Sequence, residues 1–288
     1  MNALEEAVAK TRLRPKTTTL YLRSVRSYVD FVGQSEVRWT GSTVIDWVNT
    51  LRSRLAVGTV NCMLAGVRSA SRRAAALGLI KNNFAAAVED LPVVEEKKRR
   101  PVPLSVGRQI LESCSGKSMR DRRDRAVLAL GFYHGLRSES IVTIQFDDVD
   151  FDHARLTVTI KGGHRHRLPL DPRAIPILRL WMNDLRKEGL SAGAVFRSIS
   201  RHGKLGEHSM TTMSLYNIVR GRAAQAGIAN FHPHLMRHSF VSWAMANGAT
   251  FEQIMLVTGH KTVEMLLWYA GDAREAGEEA KKLVPDLD

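Results

Sequence analysis

Cysteine is scarce in this chain of 288 residues, which contains only Cys62 and Cys114. Two isolated cysteines provide neither a disulfide framework nor a zinc site, so a reducing cytoplasm is the expected setting. Long apolar runs are also missing: none approaches the roughly 18 residues that span a membrane, and no signal-like segment opens the chain. We therefore expect a soluble protein with no membrane partner.

Signatures of nucleotide and metal chemistry are missing as well. The sequence has no glycine-rich loop of the P-loop or dinucleotide type and no acidic cluster suited to magnesium. His232, His234 and His238 could suggest a metal, but Arg237 lies among them and would repel a cation, and no Glu follows His234. We therefore expect no cofactor and no metal, and metal binding by these histidines is the disfavoured alternative.

What the sequence does have is positive charge, with a net value of +13. Residues 1–104 hold 17 Lys and Arg against 9 Asp and Glu, whereas the last 17 residues hold 3 against 6. Net charge bears on partners and not on fold. Two basic bodies and an acidic tail suggest a polyanion held between two lobes, with a tail that contacts protein. Solvated charges on a basic soluble protein are the alternative.

Apolar residues at helical spacing predict an all-helical first domain over residues 1–92, in which residues 1–14 form a loosely held arm. Helices are predicted at Thr17–Gly33, Val44–Leu51 with Ser42 or Thr43 as cap, Thr59–Gly78 and Asn83–Leu91. The polar face of the third helix carries Arg68, Arg72 and Arg73 beside Asn61, Ser69 and Ser71. Arginines among short polar residues suit contact with DNA phosphates, and a solvated face is the alternative.

Residues 93–104 are charged, contain two prolines and lack periodicity, which predicts an exposed linker. Lys97, Lys98, Arg99 and Arg100 would follow the phosphate backbone of a duplex, unless the segment is a mere spacer. A second domain is predicted over residues 105–271. It is followed by a tail, residues 272–288, with an amphipathic helix.

The second domain is predicted to be helical around one clear β-hairpin. Arg155–Lys161 alternates apolar and polar residues, Gly162 and Gly163 form the turn, and His164–Leu170 returns. Lys161 thus ends a strand at a tight turn, and a set of basic residues beside the turn are candidates for DNA contact: His164, Arg165 and Arg167. Arg197–Ser209 is expected to be a polar loop that can contact DNA.

Residues 234–269 combine three short helices with a polar residue at each junction. Pro233 suits a first helical turn, and a helix of about 14 residues is implied before Gly248. His234 and Arg237 share one face of it, and Leu235, Phe240, Trp243 and Ala244 are expected to be buried on the other. Thr250 and Gln253 have capping-box spacing, Gly259 ends the second helix, and Tyr269 lies at the end of the third.

His234 and Arg237, Gly259-His260 and Tyr269 together resemble the C-terminal signature of the tyrosine recombinases, the family that includes the phage integrases. Its pattern is His-x-x-Arg, then Gly-His, then a Tyr nine residues later. The resemblance implies a mainly α fold with a small β-hairpin or sheet. It also implies a C-shaped clamp of two domains, an N-terminal helical bundle and an α+β catalytic domain.

The resemblance also implies roles for single residues. Arg137 stands in a Gly-Leu-Arg like that of the first catalytic arginine, and Lys161 lies where the family has its catalytic lysine. Arg137 and Arg237 would bind the phosphate that Tyr269 attacks, because guanidinium groups match its developing charge. His234 would act as base or phosphate donor, His260 would donate to the same phosphate, and Lys161 would protonate the leaving 5′ oxygen.

Two positions depart from the family's pattern: Ser140 replaces the usual acidic residue, and Thr258 replaces the usual leucine. Alternatives also stay open for two candidate residues. Arg137 could form a surface ion pair with Glu139 or with Asp147, and Lys161 could contact DNA without taking part in the chemistry.

We therefore expect a site-specific recombinase that cleaves and rejoins DNA through a 3′-phosphotyrosyl intermediate and a Holliday junction. The expected partners are double-stranded DNA with specific recombination sites and further copies of the chain, two on each site and four in the synapse. The tail would link neighbouring subunits or fold back on its own domain. Such a protein would be associated with the nucleoid. A type IB topoisomerase-like enzyme and a catalytically impaired DNA-binding regulator are the alternatives.

Overall fold

The computed structural model describes residues 1–92, 101–114, 117–160 and 162–267. The chain divides into two compact units, Met1–Lys97 and Lys98–Asp288, and each is described by itself. The division falls between residues 93 and 104, the predicted linker. No helix in the described ranges is both long and apolar enough to cross a membrane.

The first unit is helical in its described residues. Its helices are α1 (Ala3–Ala9), α2 (Pro15–Val32), α3 (Gly41–Arg52) and α4 (Val57–Ala76). The predicted loose arm is wrong, because Asn2 and Glu5 close a capping box at the start of α1. Leu4, Ala7 and Val8 of this helix are buried in the core of the unit. Burying these three side chains against the other helices holds the segment in place.

Helix starts in this unit differ from the predicted ones by a few residues. Thr40, not Ser42 or Thr43, caps α3 by accepting from the Thr43 N–H at 3.2 Å. The N-cap of α4 is Ala56, and its side chain makes no capping hydrogen bond. Thr43 still takes part, because its hydroxyl lies 3.2 Å from the Thr40 N–H and closes the box.

The predicted helix at Asn83–Leu91 is wrong, since that segment forms turns without helical structure. The Asn61 side chain explains the difference: its Nδ2 donates to the Leu91 carbonyl at 2.9 Å, and its Oδ1 accepts from the Leu91 N–H at 2.9 Å. A side-chain amide thereby satisfies backbone groups without helical hydrogen bonds. Ser71, predicted on the polar face of α4, is buried instead.

The second unit combines helices with two small antiparallel sheets. Its elements are α5 (Leu104–Glu112), α6 (Met119–His134), α7 (Ser138–Val142), β1 (Val149–Asp150), β2 (Arg155–Thr159), β3 (Arg165–Pro169), α8 (Ala174–Lys187), β4 (Arg197–Ile199), β5 (Leu205–Ser209), α9 (Thr212–Gln225), α10 (Pro233–Ala246), α11 (Phe251–Thr258) and α12 (Glu264–Leu267). The strand order of the larger sheet is β1-β2-β3. Thr159 faces Arg165 across the hairpin, whereas a two-residue turn at Gly162 and Gly163 would pair Thr159 with His166, so the register differs from the predicted one by one residue.

The prediction of a polar loop at Arg197–Ser209 is wrong, because β4 and β5 pair there as a hairpin. Arg197 is buried, and its guanidinium donates to the carbonyls of Ala194 and Glu207 within the same unit. These bonds fix the path of the hairpin and give Arg197 a structural task. The physical cause is that a buried guanidinium needs acceptors, which the two backbone segments supply.

Helix α6 runs through the middle of the second unit with apolar side chains buried on most of its surface. Helix α10 packs against it, but the buried residues of α10 differ from those predicted. Met236, Arg237 and Val241 are fully buried, whereas Leu235, Phe240, Trp243 and Ala244 are half-buried. Val241 forms a small core with Ile254 and Leu266, which joins α10 to α11 and α12; Phe240 and Ala244 pack against this small core, and Leu235 and Trp243 pack against the main one.

Candidate active site

Arg137 stands at the junction of two helices, in the local position that the sequence predicts. Gly135 ends α6 with a left-handed φ of 58°, and Arg137 is the N-cap residue of α7. A Cβ on Gly135 would come within 2.6 Å of the Phe240 ring on α10. Glycine is therefore required by conformation and by packing. The turn presents a half-buried Arg137 beside the start of α10.

Arg237 is the centre of the site and is only 1% exposed. Its Nη1 donates to the carbonyls of Gly135 at 2.7 Å and Thr258 at 3.1 Å, and its Nη2 donates to His260 Nε2 at 2.7 Å. One guanidinium thus connects the end of α6, the end of α11 and the Gly-His turn. Because a buried charge is costly unless it is hydrogen-bonded, these contacts are a condition of its burial.

His260 is buried at 6% exposure between Arg237 and Thr258. Its Nδ1 lies 2.7 Å from the Thr258 hydroxyl. Burial and, after it, the nearby charges of Arg237, Arg137 and His234 together lower the pKa of His260 from 6.5 to about 3. The ring is therefore neutral at pH 7.

His234 lies in the first turn of α10 and is exposed. It lines an open cavity of about 340 Å³ together with Ser138, the residue after Arg137, and with Tyr216 and Met213 of α9. The cavity therefore borders both the Arg137 turn and the start of α10. His238, one turn later, is buried, and burial and the charge of His234 both lower its pKa.

Lys161 and Tyr269 lie outside the described residues, as do Lys97, Lys98, Arg99, Arg100 and the predicted tail. Their roles stay predictions, but the neighbours of Lys161 are described. The Ile160 N–H donates to the His164 carbonyl at 2.9 Å, and a Cβ on Gly259 would lie 3.1 Å from Ile160. The residue before Lys161 thus packs against the residue before His260.

A second contact holds the hairpin at the same place. His166 Nε2 on β3 lies 2.7 Å from the Leu256 carbonyl on α11. A carbonyl only accepts, so the His166 ring carries its proton on Nε2 in this contact. The hairpin that bears Lys161 is therefore joined to the helix that ends at Gly259.

Ser140, which stands where the family usually has an acidic residue, is buried and supports this hairpin. Its hydroxyl donates to the Thr159 carbonyl at 2.7 Å, and Thr159 is the last residue of β2. The bond ties α7, which begins after Arg137, to the strand end two residues before Lys161. A serine can make this bond, whereas a carboxylate cannot donate to a carbonyl unless it is protonated.

Among the DNA-contact candidates of the first unit, Arg68 differs from the other two. Its guanidinium bonds Asp90 at 2.5 Å and the Val88 carbonyl at 3.1 Å, within the unit. Arg72 and Arg73 are exposed. Arg68 therefore supports the segment after α4, while the charges of Arg72 and Arg73 face solvent.

On the hairpin, the arginines lie close to carboxylates of the preceding segment. Arg165 pairs with the buried Asp148, and Arg167 lies 3.4 Å from Asp150. His164 is exposed. Arg165 thus has a structural partner in the unit, and His164 is more open to an incoming ligand.

Thr258 was noticeable in the sequence only because a leucine is usual there, and its two contacts with the site were not predicted. The side chain touches His260, and the carbonyl accepts from Arg237. The one signal available was a hydroxyl two residues before a predicted functional histidine. A spacing of two residues does not by itself show that two side chains meet.

Comparison with known proteins identifies the class of this site. A model of the phage integrase family matches residues 105–275, more than half of the chain. The chain belongs to the phage integrase family. The resemblance to the tyrosine recombinases is thereby confirmed, and with it an enzyme class that cleaves and rejoins DNA.

Relatives among curated proteins carry the names of site-specific recombinases. The chain is 30% identical to tyrosine recombinase XerC of Chromobacterium violaceum over 56% of this chain and 52% of that protein, about half its length. It is 26% identical to tyrosine recombinase XerC of Alcanivorax borkumensis over 89% of this chain and 83% of that protein.

Solved structures confirm the predicted mainly helical fold with small β-sheets. A Tn1549 transposon integrase in complex with transposon right-end DNA matches with a TM-score of 0.74 and 16% identity, over 98% of this chain and 99% of that one. A lambda integrase tetramer bound to a Holliday junction matches with a TM-score of 0.71 and 15% identity, over 93% and 75%.

Proposed function

We propose that this chain is a site-specific DNA recombinase that cleaves and rejoins DNA through a 3′-phosphotyrosyl intermediate on Tyr269. The observation that carries the proposal is the anchored Arg237, because its bonds to Gly135, Thr258 and His260 join the turn before Arg137, helix α10 and the Gly259-His260 turn. Membership of the phage integrase family supports the reaction class.

The phosphate would lie between Arg137 and Arg237. Attack on a phosphodiester increases the negative charge on its non-bridging oxygens, and preorganised guanidinium groups stabilise that charge. Arg237 is preorganised by burial and by backbone carbonyls, so it needs no reorganisation during the reaction. His234 is exposed at the cavity that Ser138 also lines, and it would accept the tyrosine proton or donate to the phosphate.

Lys161 is proposed as the acid that protonates the leaving 5′ oxygen. The described hairpin supports this role, because Ile160 packs on Gly259 and Ser140 holds Thr159. The two residues before Lys161 thus belong to a part of the unit that adjoins His260. Neighbouring arginine groups make a lysine lose its proton more readily, because a like charge disfavours its charged form.

The proposed partners are double-stranded DNA with specific recombination sites and further copies of the chain. The related lambda integrase structure, a tetramer bound to a Holliday junction, supports a dimer on each site and a tetramer in the synapse. The acidic residues 272–288 are proposed to contact a neighbouring subunit. Nucleoid association follows from the DNA partner and belongs to the same proposal.

The first experiment tests the nucleophile. Wild-type protein is incubated with a nicked DNA site, with and without EDTA, and covalent adducts are separated on a denaturing gel. We expect an adduct in both conditions and none with Tyr269→Phe, which removes only the hydroxyl. No wild-type adduct, or an adduct that persists in Tyr269→Phe, contradicts the proposal. Exchange between two separate duplexes then distinguishes a recombinase from a topoisomerase-like enzyme.

A second experiment tests Lys161 with a substrate whose bridging 5′ oxygen is replaced by sulfur. A thiol has a pKa near 8.5, so a thiolate leaves without a general acid. Lys161→Ala should cleave normal DNA at least about a hundredfold more slowly, within the usual range for general acid catalysis. It should cleave the sulfur substrate at close to the wild-type rate. Tyr269→Phe is the control, because sulfur cannot replace the missing nucleophile. A defect of Lys161→Ala that is equal on both substrates would show that Lys161 only binds DNA.

A further inference from the structure

The ring of His260 has a hydrogen-bond partner on each nitrogen, and the two partners differ in chemistry. Arg237 Nη2 lies 2.7 Å from Nε2, and the Thr258 hydroxyl lies 2.7 Å from Nδ1. A guanidinium donates and never accepts, so Nε2 must present a lone pair to Arg237. A neutral imidazole has one N–H, and that proton must therefore be on Nδ1.

The hydrogen bonds of the Thr258 hydroxyl independently place the His260 proton on Nδ1. The Thr258 hydroxyl lies 2.7 Å from the Ile254 carbonyl, one turn earlier in α11. A carbonyl only accepts, and a hydroxyl has a single proton to donate. The proton therefore points to Ile254, and the hydroxyl oxygen accepts from His260 Nδ1–H. Both ends of the chain of hydrogen bonds require the same direction, so His260 donates its one N–H to Thr258 and not, as the sequence predicted, to the phosphate.

We propose that Thr258 is a positioning residue of the reaction, because its hydroxyl fixes the tautomer of His260 that accepts from Arg237. This inference rests on the proposed function. Through His260, the hydroxyl determines where one terminal nitrogen of Arg237 lies, and the Thr258 carbonyl holds the other at 3.1 Å. Leucine, the usual residue of the family at this position, has no group that accepts from Nδ1–H.

Burial and charge favour the neutral ring that this arrangement needs. His260 is 6% exposed, and Thr258 is 2% exposed. Burial, Arg237, Arg137 and His234 all lower the pKa of His260, to about 3. The ring therefore keeps a single proton across the neutral range. Thr258 and Arg237 together decide which nitrogen carries that proton.

The tautomer can be read directly in the full-length wild-type protein. Nitrogen-15 NMR of protein labelled at histidine distinguishes a ring nitrogen with a proton from one with a lone pair. The His260 signals are identified by their loss in His260→Gln. We expect the proton on Nδ1 at pH 7. A proton on Nε2, or on both nitrogens, overturns the proposal without any Thr258 variant.

Two variants test the consequence for catalysis. Thr258→Val keeps the branched shape and lacks the hydroxyl, and Thr258→Ser keeps the hydroxyl. With saturating nicked DNA we expect Thr258→Val to cleave about tenfold more slowly, as for a buried donor left without its acceptor. Thr258→Ser should stay within about twofold of wild type. DNA affinity, measured by fluorescence anisotropy, should be unchanged in both variants.

The control is Thr50→Val in α3, because the Thr50 hydroxyl makes the same one-turn bond to the Asp46 carbonyl at 3.0 Å without a histidine. It should leave the cleavage rate unchanged. A Thr258→Val enzyme as fast as wild type, or a Thr258→Ser enzyme as slow as Thr258→Val, overturns the proposal. If wild type forms no adduct, the proposed function fails, and the NMR signals of His260 still test the hydrogen bond. If Thr258→Val does not fold, the NMR signals of His260 in the wild-type protein still test the proposal.

Discussion

Replacing Arg237 by lysine should destabilise the second unit as well as abolish cleavage. Both residues carry one positive charge, so the change tests hydrogen-bond geometry and not charge. The guanidinium donates through two nitrogens: Nη1 donates to the Gly135 and Thr258 carbonyls, and Nη2 donates to His260. A single ammonium nitrogen cannot occupy both positions. Either the carbonyls or the imidazole nitrogen must therefore lose its donor.

The size of the effect follows from the burial of these groups. Arg237 is 1% exposed, so no water replaces a lost donor. A hydrogen bond from a charged group contributes about 1.5–3 kcal/mol, and a buried acceptor without a partner costs about 1–3 kcal/mol. We therefore expect Arg237→Lys to reduce the free energy of unfolding by about 3 kcal/mol. That is a large part of the roughly 5–15 kcal/mol typical of a folded protein.

Urea unfolding combined with hydrogen exchange measures this loss. Peptides from α10 and α11 should exchange faster in Arg237→Lys, whereas peptides from the first unit should be unchanged and provide an internal standard. Arg108→Lys is the matched control, because Arg108 is exposed on α5. It should leave both measurements unchanged. Wild-type stability and exchange in Arg237→Lys would refute the reasoning that these three bonds hold the site together.

Two further predictions concern the surroundings of the site. Ser140→Ala removes the hydroxyl that donates to the Thr159 carbonyl, so it should slow cleavage of normal DNA several-fold. The substrate with a bridging sulfur, used above to test Lys161, should restore the rate. An equal defect on both substrates would contradict a role of Ser140 through the hairpin. His134 is buried, accepts from the Asp171 N–H at 2.9 Å, and has its pKa lowered from 6.5 to about 4, chiefly by burial. Its neutral form is favoured by folding, so stability should fall by up to about 3 kcal/mol as the pH drops from about 6.5 to about 4, as measured by urea unfolding. His134→Gln should flatten this fall, and an unchanged slope would contradict the assignment.

Local features of the site could be predicted because they depend on residues close in sequence. The capping box of Thr250 and Gln253 and the end of that helix at Gly259 are observed as predicted. The same holds for the helix from Pro233 to Ala246. Each is determined within one or two turns of helix, where spacing and backbone conformation suffice.

Features that depend on distant partners could not be predicted. The sequence places Arg237 beside His234 on a polar face, yet packing of α10 on α6 buries it among backbone carbonyls. Asn61 replaces a predicted helix by bonding to Leu91, thirty residues away. In both cases a side chain satisfies backbone groups of another segment. Helical periodicity describes one segment at a time and contains no information on such partners.

The acceptors that hold Arg237 have a consequence for how the site tolerates substitution. Two of them are main-chain carbonyls, which every amino acid possesses. The anchor itself therefore makes no demand on the side chains at these two positions, whose identities matter for other reasons: conformation and packing at Gly135 and the hydroxyl at Thr258. Related enzymes can thus share this geometry while few of the surrounding side chains coincide, and an alignment would not reveal the groups that fix the arginine.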